Sequence, residues 1–463
     1  MDREVIHRTR PFPHPHRSLL CFIAVLVPLV LAAPGPLAQD PAPNVLVVTV
    51  DTLRADHMSA YGYARPTTPN IDRLIEAGVR FDSARTIEPL TGPALVSMLT
   101  SQHPHQHGAS RNGLRMRTGM ASLPKALQAR GFRTAAFVGN WTMRDKLCGL
   151  AEHFEQYEEV LTRRRWWGLI RKEADANDLT DLALDWIDRH GEYDAARPFL
   201  LWVHYVEPHA PYRAHDGFRD ALGLPARGEL SPSERYDTEI AFVDEAIGRL
   251  LRHLDGVQLA DRTIVIFSSD HGESLGEHGY WGHGRNLYEP TLRIPMSITW
   301  PGRLAPRAID APALLIDLAP TILGLLDAER PSALEGFDWS AVFRGQPPPA
   351  DRETHYQAHR SAVLSKHESD LARRSGLLQV GIIHRDTKEI FHVGKERGEV
   401  YDLAADPAEL DDWSRDAKAG PSEAALSWLR AVQEGLARVD LAPSTEPLDD
   451  ETAEMLRSLG YVD

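Results

Sequence analysis

The sequence predicts an α/β fold in which helices flank a large, mostly parallel sheet, followed by a small C-terminal α+β subdomain with an antiparallel sheet. Two apolar runs, Asn44–Val50 and 262–267, have the composition of strands that are buried on both faces, as in a parallel sheet. Strand and helix patterns alternate between 44 and about 330, and short strands separated by turns follow them. The main sheet therefore belongs to the N-terminal part of the chain.

Residues with metal-binding side chains follow both apolar strands. Asp51 comes directly after the first strand, and Asp270 and His271 follow the strand at 262–267. Because the carboxyl ends of parallel strands meet at the edge where ligands bind, we expect both carboxylates to reach one divalent cation. Asp and Gly are also ordinary turn residues, so a purely structural turn at 270–272 remains the alternative.

The stretch 88–101 predicts a helix whose start carries a hydroxyl group. Pro93 suits the first turn, and apolar residues at helical spacing give the helix an inward face. Thr91 then lies just before the helix N-terminus, where unpaired N–H groups and the helix dipole favour an anion. A threonine hydroxyl is a poor nucleophile unless something lowers its pKa, which a coordinated metal can do. The alternative is that Thr91 only caps the helix.

Two histidines lie in loops that follow predicted strands. A strand at 199–206 leads into a proline-flanked loop with His209, and a loop rich in His and Gly, containing His283, follows Asp270. A helix at 69–78 is predicted to begin at Asn70 as N-cap and to stop at Gly78. The other predicted elements are helices at 121–130, 178–190, 236–254 and 421–438 and strands at 133–138, 293–298, 377–383, 389–393 and 399–403.

The N-terminus has the pattern of a secretory signal peptide. Basic residues before residue 18 precede an apolar stretch at 19–33 and small residues up to Ala38. The apolar stretch has about 15 residues, fewer than the roughly 20 of a membrane-spanning helix, although an uncleaved anchor remains the alternative. We therefore expect an exported protein, periplasmic or extracellular. Cys21 and Cys148 are the only cysteines, so cleavage would leave no internal disulfide, and Cys148 is expected to be a packing residue.

The composition is that of a globular protein with an acidic surface. Hydrophobic residues make up 43% and charged residues 25% of the chain, which allows a sizeable core. The formal charge is 51 minus 66, or -15, which argues against nucleic acid as the main partner. An anionic substrate would be repelled by the overall field, so a local metal or basic group must attract it.

An ordered set of motifs from about 44 to 412 resembles the sulfatase family of the alkaline-phosphatase-like superfamily. The motifs are NVLVVTVDTLRADHMSAYGY, TTPNIDRLIEAGVRF, TGPALVSMLTSQHPHQHGA, HYVEPHAPY, SSDHGESLGEHG, YEPTLRIPM and VYDLAADPAEL. The resemblance implies an alkaline-phosphatase-like sandwich with a divalent cation at the edge of the central sheet. By position, it makes Asp51, Asp270 and His271 metal ligands and Thr91 both nucleophile and metal contact. It also implies that His209 and His283 contact the anionic group of the substrate.

The chain departs from this family's pattern at the nucleophile and beside the first metal ligand. Thr91 stands where formylglycine sulfatases have Cys or Ser, and Leu95 stands where they have Arg. Threonine cannot be oxidised to formylglycine, because its methyl-bearing β-carbon would give a ketone. Thr52 replaces a second Asp, and the loss of a carboxylate weakens a calcium site and favours zinc or manganese, with calcium still open.

The resemblance and its departures together lead to one leading hypothesis and two alternatives. The leading hypothesis is a metal-dependent hydrolase of sulfate or phosphate esters, in which metal-bound Thr91 forms a covalent intermediate. The alternatives are a phosphoethanolamine- or phosphoglycerol-type transferase and a non-catalytic, metal-stabilised binding protein. The expected substrate is a small anionic ester, such as one on a glycan or a lipid head group.

The expected organisation has three parts. Residues 1–38 form the signal peptide or N-terminal anchor, 44–330 the catalytic domain and 331–463 the C-terminal subdomain. Contact with a membrane is expected only if the N-terminal segment stays uncleaved. The sequence gives no indication of the oligomeric state.

Overall fold

The computed structural model describes residues 42–161, 163–165, 170–172, 174–194, 196–360, 376–395, 397–415 and 421–438. The predicted signal segment and the tail after 438 lie outside the described residues. From Ala42 onward the chain forms one compact unit. None of the helices in the described ranges has the length and apolarity that a membrane span requires.

The described chain alternates strands and helices before ending in a run of strands and a last helix. The strands are β1 (Asn44–Val50), β2 (Val79–Phe81), β3 (Ala84–Arg85), β4 (Arg133–Val138), β5 (Gln156–Glu159), β6 (Arg163–Arg165), β7 (Ile170–Lys172), β8 (Phe199–Tyr205), β9 (Thr263–Ser269), β10 (Ser274–Leu275), β11 (Trp281–Gly282), β12 (Met296–Thr299), β13 (Arg307–Ile309), β14 (Ala313–Leu314), β15 (Glu353–His359), β16 (Leu377–His384), β17 (Thr387–His392) and β18 (Arg397–Asp402). The helices are α1 (Pro69–Glu76), α2 (Thr91–Thr100), α3 (Pro104–His107), α4 (Leu123–Gln128), α5 (Asp145–Cys148), α6 (Ala176–Tyr193), α7 (Pro232–Gly256), α8 (Glu289–Leu292), α9 (Leu318–Leu325), α10 (Ser340–Phe343) and α11 (Glu423–Arg438).

The central sheet confirms the predicted mostly parallel architecture. Its eight strands follow the order β13-β2-β12-β9-β1-β8-β4-β5. Only β12 is antiparallel to its neighbours β2 and β9, while the remaining pairs are parallel. Strand β1 lies between β9 and β8, so the carboxyl ends of these three strands meet at one edge. That edge carries the candidate site.

An apolar layer covers each face of the central sheet. Successive side chains of β1 alternate between the two layers, with Val45 and Val47 in one and Leu46, Val48 and Val50 in the other. Helices α2, α4 and α9 contribute to the first layer, and α1, α6 and α7 contribute to the second. Burial on both faces explains why β1 is an unbroken apolar run in the sequence.

Strands β15 to β18 form a separate four-stranded antiparallel sheet, as predicted for the C-terminal region. Its first strand, β15, was not predicted from the sequence, because 353–359 alternates polar and apolar residues only weakly. Helix α11 packs Val432 and Leu436 against Val380 and Phe391 of the sheet. The division of the chain at 330 stays a prediction.

Several predicted elements begin or end elsewhere in the structure, for local reasons. Helix α1 has Thr68 as its N-cap, and Asn70 instead donates from its backbone and side chain to Asp244. Helix α7 starts earlier than predicted because Ser231 caps it with a capping box. Thr91 is the first residue of α2 rather than the residue before it. Cys148 is buried, and burial raises the pKa of its thiol to about 12.

Candidate active site

Two carboxylates lie side by side at the C-terminal edge of the central sheet. Val50 of β1 is in register with Ser269 of β9, so Asp51 and Asp270 follow at equivalent positions. Both side chains are fully buried. One oxygen of each carboxylate and one ring nitrogen of His204 all lie within 4.8 Å of one another. The parallel register thus brings together side chains that are far apart in the sequence.

The carboxylate of Asp270 is held by one oxygen and presents the other to the site. Its Oδ1 accepts hydrogen bonds from the backbone N–H groups of Thr52, at 3.1 Å, and His271, at 2.8 Å. Its Oδ2 has no hydrogen-bond partner among the described residues and lies 3.4 Å from His271 Nε2. Burial raises the pKa of this carboxyl, partly offset by the nearby His204. A buried oxygen in this position suits a cation.

His271 is fixed in the tautomer that can bind a metal through Nε2. Its Nδ1 lies 2.9 Å from the carbonyl oxygen of Gly272, and because a carbonyl only accepts, Nδ1 carries the hydrogen. The Nε2 lone pair therefore faces the site, 3.3 Å from Thr91 Oγ1 and 4.0 Å from Asp51 Oδ1. Burial lowers the pKa of the ring to about 4, so it is neutral near neutral pH.

The turn after Asp270 also has a structural role. A Cβ atom on Gly272 would lie only 2.1 Å from the carbonyl oxygen of Pro290. No side chain fits there, so this glycine allows the close packing of the turn against α8. The alternative of a purely structural turn at 270–272 therefore holds for Gly272, while Asp270 and His271 face the site.

His204 is a site residue that the sequence analysis missed. It lies on β8 in register with Thr49, and its Nδ1 is 2.9 Å from Thr49 Oγ1. Its Nε2 is 3.9 Å from Asp51 Oδ2, and burial lowers the pKa of the ring to about 4. A histidine within the otherwise apolar run of β8 was the signal that could have identified it.

Asn140 is a second missed residue, and it orients Asp51. Its Oδ1 accepts hydrogen bonds from the N–H and Oγ1 of Thr142, both at 2.8 Å. These bonds fix the amide so that Nδ2 donates to Asp51 Oδ2. No local motif marks this role, because Asn140 lies two residues after the end of β4 and reaches Asp51 only through the sheet topology.

Thr91 opens α2, and a third missed residue, Asn112, lies beside it. Every residue of α2 is buried. The N–H of Gly92 donates to Asn112 Oδ1 at 2.9 Å, which fixes the orientation of the amide. Asn112 Nδ2 is buried and has no hydrogen-bond partner in the described part of the chain. The first turn of α2 therefore has an additional N–H donor next to the hydroxyl of Thr91.

His209 and His283 approach each other above this cluster. Nδ1 of His209 donates to the carbonyl of Ala210 at 2.7 Å, and Nδ1 of His283 donates to the carbonyl of Pro89 at 3.2 Å. Their Nε2 atoms are 3.2 Å apart. The ring of His283 also lies 4.4 Å from that of His271, and burial lowers the pKa of His283 well below its usual value.

The structure thus brings the six predicted site residues to one region and adds His204, Asn140 and Asn112. Carboxylate oxygens, neutral imidazole nitrogens and a hydroxyl are the donor types that zinc and manganese accept. Thr52, at the position of the missing carboxylate, keeps a buried hydroxyl oxygen without a hydrogen-bond partner among the described residues. This donor set fits a divalent cation.

Two family models match the chain. The sulfatase model matches residues 43–328, and the model of the N-sulphoglucosamine sulphohydrolase C-terminal region matches residues 276–428. Together they span the central sheet and the antiparallel sheet.

Curated relatives and solved structures agree with these matches. An N-acetylglucosamine-6-O-sulfatase of Bacteroides thetaiotaomicron is 25% identical, over 80% of this chain and 82% of the relative. A choline-sulfatase of Rhizobium meliloti is 25% identical, over 84% of this chain and 86% of the relative. A structure solved in complex with its substrate D-glucosamine-2-N,6-O-disulfate has a TM-score of 0.68 at 22% identity, covering 88% of this chain and 100% of that chain. This likeness confirms the predicted fold class.

Proposed function

Because the chain belongs to the sulfatase family, we propose that it cleaves sulfate or phosphate esters with Thr91 as the nucleophile. As a member of this family, the protein belongs to the class of sulfuric ester hydrolases. The observation that carries the proposal is the position of Thr91 Oγ1, 3.3 Å from His271 Nε2 at the edge where Asp51 and Asp270 meet.

Asp51, Asp270 and His271 would hold the cation beside Thr91. A divalent cation there would supply positive charge that lowers the pKa of the Thr91 hydroxyl and offsets the charge of the ester oxygens. The neutral tautomer of His271 and the buried, unpartnered Oδ2 of Asp270 among the described residues support this assignment. One ring nitrogen of His204 lies within 4.8 Å of an oxygen of Asp51 and of Asp270, so His204 is the candidate for a further ligand. The donor set favours zinc or manganese over calcium.

The proposed reaction has two displacement steps. In the first, Thr91 Oγ1 forms a bond to the central sulfur or phosphorus while the ester bond to the leaving oxygen breaks. The proton of the hydroxyl passes to solvent or to a neighbouring base, and the leaving oxygen receives a proton. In the second, water attacks the same central atom, releases the inorganic anion and restores the hydroxyl.

The remaining site residues would stabilise the negative charge that develops on the ester oxygens during the reaction. Asn112 Nδ2, beside the first turn of α2, is placed to donate to the non-bridging ester oxygens. The Nε2 atoms of His209 and His283 face each other at 3.2 Å, and this pair is the candidate to take up the proton of the Thr91 hydroxyl and to deliver it to the leaving oxygen.

The proposed substrate class is a small anionic ester on a sugar, a lipid head group or a similar alcohol. The names of two relatives describe sulfatases of N-acetylglucosamine 6-O-sulfate and of choline sulfate, which supports a compact alcohol group. Thr91 cannot become formylglycine, so the hydrated aldehyde of that chemistry is absent here and a simple alkoxide attack replaces it. This difference leaves phosphate esters and transfer to an acceptor alcohol as the chief competing chemistry.

A paired rate assay tests the nucleophile and the central atom together. The protein, reconstituted with zinc or manganese, is assayed with aryl sulfate and with the matching aryl phosphate mono- and diesters. The variants are Thr91→Ala and, as a matched control, Thr100→Ala, which removes a buried hydroxyl that bonds Val96 at the other end of α2. We expect Thr91→Ala to lose the preferred activity and Thr100→Ala to retain it.

Each result of this assay has a defined meaning. A phosphate preference lost in Thr91→Ala would make the chain a phosphoryl-transfer enzyme of sulfatase ancestry. Activity that survives in Thr91→Ala would instead show that water attacks directly, and the nucleophile proposal would fail. A wild-type protein that is stabilised by metal but turns over no ester would favour the non-catalytic binding protein.

A further inference from the structure

The loop that leads to Thr91 is hydrogen-bonded to the C-terminal sheet at two points. The backbone N–H of Gln357, on β15, donates to the carbonyl of Ile87 at 3.0 Å. Two residues further along the same strand, His359 contacts the carboxyl group of Glu88 twice: its backbone N–H donates to Oε1 at 3.0 Å, and its Nδ1 lies 2.9 Å from Oε2. Glu88 and His359 are both fully buried.

The same loop also determines where His283 and α2 lie. Pro89 accepts the hydrogen bond from His283 Nδ1, and the carbonyl of Leu90 accepts the hydrogen bond from Ala94 in the first turn of α2. A Cβ atom on Gly284 would lie 2.6 Å from Leu90 Cδ2, so the histidine loop packs closely on this segment. Three consecutive residues thus connect the C-terminal sheet, the histidine pair and the nucleophile.

The Glu88–His359 pair is suited to holding a loop in place. Burial raises the pKa of Glu88 well above its usual value and lowers that of His359 to about 3. The two groups therefore have one proton between Oε2 and Nδ1, which makes the pair uncharged overall and stable in a dry environment. Loss of either partner would leave a buried polar group without its hydrogen bond and would free the loop to shift.

We infer that Glu88 and His359 are positioning residues, through which the C-terminal sheet sets the orientation of Thr91 and of His283. This inference rests on the proposed function, because it assigns the roles of nucleophile and proton donor to those two side chains. Neither member of the pair is assigned a contact with the substrate. They act by fixing Pro89 and Leu90, which bond His283 and begin α2.

The kinetic experiment compares His359→Leu with His359→Asn in the full-length, metal-loaded protein. Leucine removes the side-chain donor, whereas the amide of asparagine occupies nearly the position of Nδ1 and keeps a hydrogen bond to Glu88. We expect His359→Leu to lower kcat by about 10- to 100-fold with little change in KM, since small misplacement of reacting groups has effects of that size. His359→Asn should recover most of the lost kcat.

A second His–Glu pair in the same sheet, half-buried at its histidine, provides the control. His392 on β17 lies 3.0 Å from Glu399 on β18 through its Nε2, and this pair does not touch the Thr91 loop. His392→Leu should lower the melting temperature, as His359→Leu does, and leave kcat unchanged. If His359→Leu fails to fold, His359→Ala serves instead, because it removes the Nδ1 contact while the backbone N–H of residue 359 still donates to Glu88.

An activity-independent measurement separates this inference from the proposed function. Nitrogen-15 chemical shifts of the His283 ring report whether Nδ1 still carries the hydrogen that binds Pro89. We expect these shifts to move in His359→Leu and to stay in place in His392→Leu, even if no ester is turned over. Unchanged His283 shifts together with an unchanged kcat in His359→Leu would overturn the inference and leave the pair a purely structural one.

Discussion

The Nε2 atoms of His209 and His283 face each other at 3.2 Å, while the Nδ1 atom of each ring donates to a backbone carbonyl. Carbonyl groups only accept hydrogen bonds, so both rings carry their hydrogen on Nδ1 and direct a lone pair at each other. Two nitrogen lone pairs at this distance repel each other unless a proton, a hydrogen-bond donor or a cation lies between them. The pair is therefore arranged to accept a proton at one defined point.

Substitution of either histidine should affect poor leaving groups more than good ones. We expect His209→Gln and His283→Gln each to lower kcat/KM by about 100-fold for an alkyl ester and far less for a nitrophenyl ester, which needs no protonation. The double variant should lose little more, because both rings serve one proton. His278→Gln in the same loop, where the ring stacks on Tyr288 at 3.7 Å, is the control. Equal losses for both ester types would contradict proton donation.

Divalent metal should stabilise the protein through Asp270. We expect zinc or manganese to raise the melting temperature of the wild type and to have no effect on Asp270→Asn, because the amide cannot supply the anionic Oδ2. Metal content by elemental analysis and differential scanning fluorimetry provide the measurements. Asp244→Asn is the control, since Asp244 is a buried carboxylate that binds the start of α1 away from the site. A metal-induced shift that persists in Asp270→Asn would remove Asp270 from the ligand set.

Asn112 should contribute to kcat through its buried N–H group. Asn112→Asp keeps an acceptor for Gly92 but replaces the donor with a carboxylate, so we expect a fall in kcat of about 100-fold, the usual effect of losing an oxyanion donor. Steady-state kinetics with the preferred ester measure this fall. Asn70→Ala, in α1, should leave the rate unchanged. If Asn112→Asp retains full activity, the amide only caps α2.

Acid should destabilise the fold through buried neutral histidines, and His105 offers a test away from the metal site. Burial lowers its pKa to about 4, from an unfolded value near 6.5. Between these values the unfolded chain binds a proton that the folded chain does not, so the free energy of unfolding falls as the pH decreases. Through His105 alone, the free energy of unfolding falls by about 3 kcal/mol as the pH decreases from about 6.5 to about 4.

Urea unfolding over a pH series measures this effect. His105→Gln should make the free energy of unfolding less dependent on pH between about pH 4 and pH 6.5. The control His384→Gln, at an exposed residue that pairs with Asp351, should leave this dependence unchanged. An identical slope in His105→Gln would show that other groups cause the acid sensitivity.

The sequence was most informative where an apolar strand is followed directly by a residue with a metal-binding side chain. Asp51 and Asp270 were predicted to meet because their strands are apolar on both faces and hence parallel, and the register of β1 with β9 confirms the alignment. His204, Asn140 and Asn112 were not predicted. Each reaches the site through pairing or turn contacts between distant segments, and only His204, a histidine within an apolar strand, had a sequence signal. The roles of all these residues stay predictions.

The contacts of β15 with the Ile87 carbonyl and with the Glu88 carboxyl group have a consequence for making chimaeras within the family. A hybrid that takes its antiparallel sheet from a relative would also exchange the partner of Glu88. It would then carry a foreign residue opposite a buried carboxyl group three positions before the nucleophile. Recombination between relatives should therefore preserve activity only when the segment at 86–90 and the strand at 353–359 come from the same parent.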